Sequence, residues 1–306
     1  MKKAVYYGVR DLRVEEVKEP SPGPGEIKVK VKYCGICGSD LHEYLHGFFP
    51  ESPFGHEACG VVVEVGSEIK DISEGDHVVT FVKEGFAEYL VAPWERVLKI
   101  PSDMPWERAV VLEQLAGSIY AVERGQVKPS DTVFIAGAGP VGLMSLLSVK
   151  TLGCETVYVS EIAESRREKA FQLGASEVFN PSEVKLPSEI RKRTGGAGVD
   201  VSMEAVGIEA SLKDSLASAR YKGTVIVQGI FTERANMHML GFVTKEMTMV
   251  GVNHISPERS LEWLTTREIY PEKIITSIVP LEQIAEKGFE RLVNNKDEEI
   301  KIVIEP

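Results

Sequence analysis

Residues 132–142 read TVFIAGAGPVG, an apolar, strand-like run that leads directly into a glycine-rich turn. The residues that follow are typical of a helix, with Val141, Met144 and Leu147 near one face. In such a unit the first glycine permits the tight turn, the second lets backbone approach a pyrophosphate, and the third lets helix pack on strand. The helix N-terminus also favours phosphate. The expected cofactor-binding residues here are Gly137, Gly139, Pro140, Val141 and Gly142.

Glu161 ends the next predicted strand, which covers residues 156–161. A carboxylate at that position accepts hydrogen bonds from adenosine ribose hydroxyls and repels a 2′-phosphate. The sequence therefore favours NAD over NADP as the dinucleotide. Arg166 leaves two interpretations open, either a partner for a phosphate group or a charge on the surface of a helix.

Strand-like and helical runs alternate through the second half of the chain. This alternation predicts βαβ units and a parallel sheet that is buried on both faces. The predicted strands are residues 132–136, 156–161, 177–180, 199–204, 224–228 and 247–252.

The first hundred residues or so are predicted to be β-rich. Apolar and lysine residues alternate from Glu26 to Tyr33, which is typical of a strand with one buried and one wet face. Short strand candidates separated by Gly and Pro predict a barrel-like β domain, followed by a helix over residues 106–124. The further strand candidates are residues 60–66, 76–81, 87–92 and 300–304.

Composition excludes several classes of protein. The chain has 306 residues, 43% of them hydrophobic, which suits two globular domains and rules out wholesale disorder. A net charge of −11 argues against a general affinity for nucleic acid or anionic membrane. Four cysteines do not resemble a secreted disulfide framework, and we find neither a signal peptide nor a membrane-spanning run. These observations predict a soluble cytoplasmic protein.

Potential metal ligands are spread over the β-rich half, in GICGSDLH at residues 35–42 and GHE at residues 55–57. One thiolate, one imidazole and one or two carboxylates are what a catalytic Zn²⁺ takes, with a position left for water or substrate. Glu113 lies in an apolar helical stretch, where an unpaired carboxylate would be costly and a metal would account for it. The candidate metal ligands are Cys37, His56, Glu57 and Glu113.

Each of these residues also has an ordinary structural interpretation. His42 and His46 could be surface histidines, and Cys37 could fill space in the core. Cys34 forms a CxxC pair with Cys37, but no second pair completes a structural zinc site. We therefore expect Cys34, like Cys59 and Cys154, to fill space in the core.

GICGSDLH, GHE and GAGPVG, in this order and after a β-rich half, resemble the zinc-dependent medium-chain alcohol and polyol dehydrogenases. Further matching stretches are FAEYLVAP at residues 86–93, GGAGVD at residues 195–200 and EAVG at residues 204–207. The resemblance covers essentially the whole chain. It implies a GroES-like β-barrel catalytic domain over residues 1–118, a doubly wound Rossmann domain over residues 119–254, and a segment 255–306 that returns to the first domain.

The resemblance also assigns roles to individual residues. Cys37 and His56 match zinc ligands, and Glu57 matches the acidic position that binds the metal or lies behind it. Glu113 falls where the sorbitol, threonine and butanediol dehydrogenases have Glu and the ethanol-type enzymes have Cys. Ser39 matches the hydroxyl that takes the proton of the zinc-bound alcohol, and His42 the outer member of that relay. Ser39, His42 and Glu57 are thus the expected catalytic residues.

Two departures from the family pattern matter. The cysteine-rich lobe that binds a structural zinc is absent, because residues 76–85 run straight into Phe86. We therefore expect one catalytic zinc per chain and no structural zinc. Near the end of the chain, a usual Thr-His reads Thr276-Ser277.

The sequence thus predicts an NAD-dependent zinc enzyme that interconverts a secondary alcohol and a ketone. A polyol, a sugar alcohol or a hydroxy amino acid is the expected substrate class, and the resemblance implies a homodimer or homotetramer. The alternatives are a simple alcohol dehydrogenase, a zinc-free quinone reductase of the same fold, and a non-catalytic NAD-binding redox sensor. The candidate pocket residues are Tyr44, Phe48, Phe49 and Trp94.

Overall fold

The computed structural model describes residues 1–47, 54–295 and 297–306. It separates into one unit of residues 1–113 and 275–306 and a second unit of residues 114–274. The boundaries expected from the sequence lay at 118 and 254. The return to the first unit comes at residue 275 because the strand Ile275–Pro280 pairs with Lys301–Glu305, which belongs to that unit.

The first part of the chain is rich in strands, as the sequence predicted. The elements up to residue 124 are β1 (Lys2–Gly8), β2 (Asp11–Glu16), β3 (Glu26–Gly35), α1 (Gly38–His46), β4 (Glu57–Val65), β5 (His77–Thr80), β6 (Tyr89–Pro93), β7 (Val97–Lys99), α2 (Trp106–Val110) and α3 (Leu112–Arg124). The single helix predicted over residues 106–124 was wrong, because Val111 leaves helical geometry and separates α2 from α3.

The remaining elements begin with the strand of the glycine-rich unit. They are β8 (Val133–Ala136), α4 (Pro140–Leu152), β9 (Val157–Ser160), α5 (Glu164–Gln172), β10 (Glu177–Phe179), α6 (Leu186–Arg193), β11 (Val199–Glu204), α7 (Glu209–Ser218), β12 (Ala219–Val227), α8 (Met239–Thr244), β13 (Thr248–Gly251), α9 (Pro257–Thr266), β14 (Ile275–Pro280), α10 (Arg291–Asn294) and β15 (Lys301–Glu305). A π-helix, Ile284–Glu290, precedes α10.

The second unit is built on a parallel sheet with the strand order β10-β9-β8-β11-β12-β13. Every predicted strand of this sheet is present, and every residue of β8 and β9 is buried, as expected where helices cover both faces. The order runs outward in both directions from the β8–β11 pair, so the sheet is doubly wound, as the sequence predicted. In such sheets ligands bind outside the carboxyl ends of the strands at this switch point.

The first unit contains a sheet with the order β14-β15-β3-β4-β5-β7, and β6 pairs with β3. The alternation of β3 holds for its apolar face, since Ile27 and Val29 are fully buried. It fails at Lys28, which is buried because its ammonium group pairs with Glu19 and lies 3.8 Å from Glu64. Phe289 and Ile304 complete the apolar core of this unit.

No helix in the part of the chain that the structure describes combines the length and apolar character needed to cross a membrane.

Candidate active site

Three potential metal ligands converge in the first unit. The ligand atoms of Cys37, His56 and Glu57 all lie within 4.8 Å of one another, the one such cluster among the described residues. Strand pairing explains the convergence: β3 ends at Gly35, which pairs with Glu57 at the start of β4. The chain therefore brings Cys37, just after β3, next to Glu57, the first residue of β4, and to His56, which precedes it. A thiol, an imidazole and a carboxylate are a donor set that suits zinc.

Asp40 connects the two segments that carry these ligands. Its Oδ2 accepts the backbone N–H of Cys37 at 2.8 Å, and its Oδ1 accepts the N–H of Gly55 at 3.2 Å. Oδ1 also lies 3.7 Å from Nδ1 of His56. Burial raises the pKa of Asp40 to about 6, against the lowering effects of His56 and the backbone donors. A carboxylate behind a ligating histidine fixes the orientation of the ring.

Lys301 is the unexpected member of the site. Its side chain and that of Glu57 are fully buried, and Nζ donates hydrogen bonds to Oε2 of Glu57 and, at 3.0 Å, to the carbonyl of Ile36. Burial alone would lower the pKa of Lys301, but Glu57 and Cys37 raise it above its usual value. Oε1 of Glu57 has no hydrogen-bond partner among the described residues, as a carboxylate oxygen that binds a metal would not.

Glu113 lies near this cluster without joining it. Burial and the neighbouring Glu57 raise the pKa of Glu113 to about 7, although His56 and Lys301 act in the opposite direction. The charges of the site therefore shift the pKa of Glu113. Its carboxylate nevertheless is not one of the three ligand groups that converge. The structure thus places Glu57 with Cys37 and His56, and Glu113 beside them.

Ser39 and His42 both belong to α1, which Cys37 caps. Three residues apart on a helix, they lie on one face, and both are partly exposed. Asp40, Glu43 and Tyr44 of the same helix are buried instead, so Ser39 and His42 are the side chains of this site that α1 leaves partly exposed.

The candidate pocket residues differ in where the structure places them. Tyr44 is a core residue, because it packs on Phe289 with ring centroids 4.9 Å apart and its hydroxyl donates to Glu290 at 2.9 Å. Trp94 is 44% exposed. Phe48 and Phe49 lie outside the described residues.

The three cysteines expected to serve packing are all buried and are free thiols. Burial raises the pKa of Cys34 well above its usual range, and it raises the pKa of Cys154 to about 11. These thiols therefore remain protonated at neutral pH, in contrast to the thiolate that a metal needs.

The segment after β5, where relatives were expected to carry the cysteine-rich lobe, instead forms backbone hydrogen bonds with residues 54 and 55. The backbone N–H of Gly85 donates to the carbonyl of Gly55 at 2.9 Å, and that of Glu84 donates to the carbonyl of Phe54 at 2.8 Å. A Cβ at position 85 would lie 2.5 Å from the Gly55 oxygen, so only glycine fits this approach. The residues after β5 thus hold the backbone immediately before His56.

Thr276 and Ser277, where the sequence departs from the family pattern, have partners within the first unit. Oγ1 of Thr276 and Oγ of Ser277 donate to the two carboxylate oxygens of Glu299 at 2.5 and 2.9 Å. Glu299 is almost completely buried, and Arg291 pairs with it at 2.5 Å. The two hydroxyl residues therefore join β14 to the segment before β15.

The glycine-rich turn has the geometry that the sequence requires. Gly137 has φ +99°, and a Cβ on Gly142 would overlap the carbonyl oxygen of Gly137. Helix α4 begins at Pro140 immediately after this turn, so its free backbone N–H groups face outward from the carboxyl end of β8.

Glu161 and Arg166 lie beside this turn. The Glu161 carboxylate accepts the N–H of Ala138 at 2.8 Å and two N–H groups of its own loop, at residues 162 and 163, at 2.9 and 3.0 Å. A Cβ on Gly139 would lie 3.8 Å from a guanidinium nitrogen of Arg166. The second unit therefore brings both predicted cofactor contacts to the glycine-rich turn.

Glu204 is a residue of this site that sequence reasoning missed. Its side chain is fully buried, and Oε1 accepts the N–H groups of Val206 and Gly207 at 2.9 and 2.8 Å and the hydroxyl of Ser211 at 2.6 Å. Val206 in turn reaches Gly137, where an added Cβ would lie 2.6 Å from its side chain. Glu204 thus holds the turn after β11 against the glycine-rich turn. An acidic residue at the end of a buried strand was the available signal.

Two family models match the sequence in the order of the two units. An alcohol dehydrogenase GroES-like domain matches residues 23–102, and a zinc-binding dehydrogenase domain matches residues 140–266. The first match confirms the predicted GroES-like fold of the β-rich unit.

Known proteins resemble the chain over its full length. An (R,R)-butanediol dehydrogenase of Bacillus subtilis is 32% identical, and the alignment covers 100% of both chains. A sorbitol dehydrogenase of the same organism is 29% identical over 100% of this chain and 97% of its own length. The crystal structure of a 2R,3R-butanediol dehydrogenase from Bacillus subtilis superposes with a TM-score of 0.92 at 31% identity, covering 100% of this chain and 99% of the other.

Proposed function

The chain belongs to the zinc-dependent medium-chain dehydrogenase family, and from this premise we propose that it oxidises a secondary alcohol to a ketone with NAD as hydride acceptor. As an oxidoreductase of this family it acts on polyols or secondary alcohols. The candidate substrates are polyols, sugar alcohols and hydroxy amino acids. The convergence of Cys37, His56 and Glu57 is the observation that carries the proposal.

Cys37, His56 and Glu57 would hold one zinc ion per chain. Glu57 is the better third ligand than Glu113, because its carboxylate lies in the cluster and one of its oxygens lacks a partner among the described residues. When bound, zinc lowers the pKa of an alcohol and polarises the corresponding carbonyl. Lys301 keeps Glu57 in place by binding its other oxygen. We infer no structural zinc, since the segment after β5 closes onto Gly55 through backbone hydrogen bonds.

Ser39 and His42 form the proposed proton path. The Ser39 hydroxyl would accept the proton that the substrate alcohol loses while it releases its own proton towards the His42 imidazole, one turn further along α1, which would pass it on to solvent. Both side chains are partly exposed, as a path to water requires. A protein that only bound NAD as a redox sensor would have no use for this path.

NAD, rather than NADP, is the proposed cofactor. The Glu161 carboxylate is held at the glycine-rich turn by three backbone donors, where it places negative charge against a 2′-phosphate. Nicotinamide supplies the hydride chemistry, and the protein supplies its binding and orientation. Arg166 lies near Gly139 and would contribute positive charge to the pyrophosphate.

Two further expectations from the sequence remain proposals. The resemblance implies a homodimer or homotetramer, and the edge strand β13, with the exposed Met249, offers backbone for pairing with a second copy. Light scattering of the purified protein measures the oligomeric state.

The second of these proposals concerns the cellular compartment. The four free cysteines suit a reducing compartment such as the cytoplasm.

The experiment that tests the function combines metal analysis with a substrate panel. Purified protein is analysed for zinc and then assayed for NADH or NADPH formation with butanediols, sorbitol, threonine and simple alcohols. We expect one zinc per chain, turnover of a polyol or other secondary alcohol, and preference for NAD. A Ser39→Ala variant should retain zinc and lose turnover. Bound zinc and bound NAD without turnover of any alcohol would instead indicate the redox sensor.

A further inference from the structure

Helix α1 carries the sequence HEYLH at residues 42–46, two histidines four positions apart. Such histidines lie one above the other on a helix, and the ring centroids of His42 and His46 are 6.4 Å apart. Tyr44 of the same helix is a core residue, and the partly buried Leu41 and Leu45 pack against the core. The histidine pair therefore occupies the outer face, where His46 is exposed and His42 partly exposed.

HExxH on a helix is also the pattern of zinc proteases, in which the glutamate acts as a general base. That use does not fit this helix, because Glu43 is only 4% exposed. Its backbone carbonyl also accepts hydrogen bonds from the Tyr6 hydroxyl at 2.9 Å and from the N–H of Gly47 at 2.8 Å, so the residue is fixed within the fold. The feature left for ligand binding is the histidine pair itself.

We propose that His42 and His46 form a second, weaker site for a divalent transition-metal ion, with water in the remaining positions. Imidazole is a preferred ligand of Zn²⁺, Ni²⁺ and Cu²⁺. Each ring nitrogen must come within about 2.0–2.1 Å of the ion. Rotation of the exposed His46 side chain towards His42 brings the two rings closer, because both residues start from neighbouring positions on one helix face.

A metal ion at this site has a consequence for catalysis, which rests on the proposed function. An imidazole nitrogen that coordinates a metal has no lone pair left to accept a proton. Occupation of the pair would therefore remove His42 from the proton path while Cys37, His56 and Glu57 keep their own ion. Excess zinc would then inhibit the enzyme that needs zinc for activity.

Binding is tested on the zinc-loaded, full-length protein with Ni²⁺ as the probe, by isothermal titration calorimetry and with assay of any zinc released. We expect one Ni²⁺ per chain in addition to the catalytic zinc, bound about tenfold or more weakly in His46→Gln. His238→Gln removes an exposed histidine outside α1 and is the matched control, with unchanged binding. Equal Ni²⁺ affinity in His46→Gln and the parent protein, or Ni²⁺ uptake only in exchange for released zinc, would overturn the site.

Inhibition is measured on the same three proteins. His46→Gln should keep the basal turnover of the parent protein and need about tenfold more Ni²⁺ or Zn²⁺ for half-inhibition, whereas His238→Gln should behave as the parent protein. Binding that depends on His46 without any inhibition would support the site and contradict the role of His42 in the proton path. This outcome separates failure of the proposed function from failure of the metal site.

Discussion

The ammonium group of Lys301 donates a hydrogen bond to Oε2 of Glu57, and neither side chain is reached by solvent. Each charge is therefore compensated by the other in a place where water cannot solvate it. Removing one partner of such a pair leaves a buried, uncompensated charge, which is far more costly than losing a surface ion pair.

Lys301→Met should accordingly destabilise the protein by about 3–5 kcal/mol in denaturant unfolding. The matched control is Lys99→Met, because Lys99 pairs with Asp76 at 2.8 Å with its side chain 55% exposed. That variant should lose less than about 1 kcal/mol. Similar losses in the two variants would show that the Glu57 carboxylate is not isolated from water.

Cys37→Ser should remove zinc from the purified protein and reduce turnover by at least about 100-fold, because the thiolate ligand is lost. Zinc is measured by atomic emission, and turnover by NADH formation. Cys34→Ala is the control, since Cys34 lies three positions earlier but is a buried, protonated thiol. We expect it to keep its zinc. The metal assignment fails if Cys37→Ser retains both zinc and activity.

The stability of the metal-free protein should fall as the pH rises from about 4.5 to about 7. Burial raises the pKa of Glu113 from 4.5 to about 7, so the unfolded chain releases this proton first and binds fewer protons than the folded chain in that window. Stability then decreases with pH, by up to about 3 kcal/mol from this group alone. Unfolding at several pH values after chelation measures the slope.

Glu113→Gln should flatten that slope, because the amide does not titrate. Asp40, with a pKa of about 6, contributes a slope of the same sign in both proteins, so the variant keeps part of the slope. Identical pH dependence of the metal-free parent and variant would contradict the environment described for Glu113.

Glu161→Ser should lower kcat/KM for NAD by about tenfold and raise the ratio of NADP to NAD activity, because it removes the negative charge that we propose faces the adenosine ribose. Steady-state kinetics with both cofactors provide the measurement. Glu164→Ser, in the exposed first turn of α5, serves as the control and should leave the ratio unchanged. An unchanged cofactor ratio in Glu161→Ser would leave NAD preference without its proposed basis.

The parallel sheet was predictable because buried strands such as β8 and β9 are largely apolar runs, and the glycine-rich turn between β8 and α4 permits few conformations. The strands β1, β2, β7 and β14 were missed. In β14 the residues alternate between partly exposed and exposed over much of the strand, so no clear apolar face marks it in the sequence.

Residue type pointed to the candidate ligand cluster but not to its surroundings. Cys37, His56 and Glu57 have side chains of the kinds that bind zinc, and the structure brings them together. Lys301 was missed because a lysine in a terminal strand is usually solvated, and its partner Glu57 lies 244 positions earlier in the chain. Asp40 was missed for a related reason, since only the fold brings the Gly55 N–H to its carboxylate.

The division of the first unit into residues 1–113 and 275–306 has a consequence for the order of synthesis on the ribosome. Cys37, His56 and Glu57 are translated early, but the strand that carries Lys301 follows only after the whole of residues 114–274. The nucleotide unit is continuous and can fold as soon as it emerges, whereas the catalytic unit must wait for its last strands. Until then Glu57 lacks its buried counter-charge, so the nascent chain holds the candidate zinc ligands before it holds the complete site.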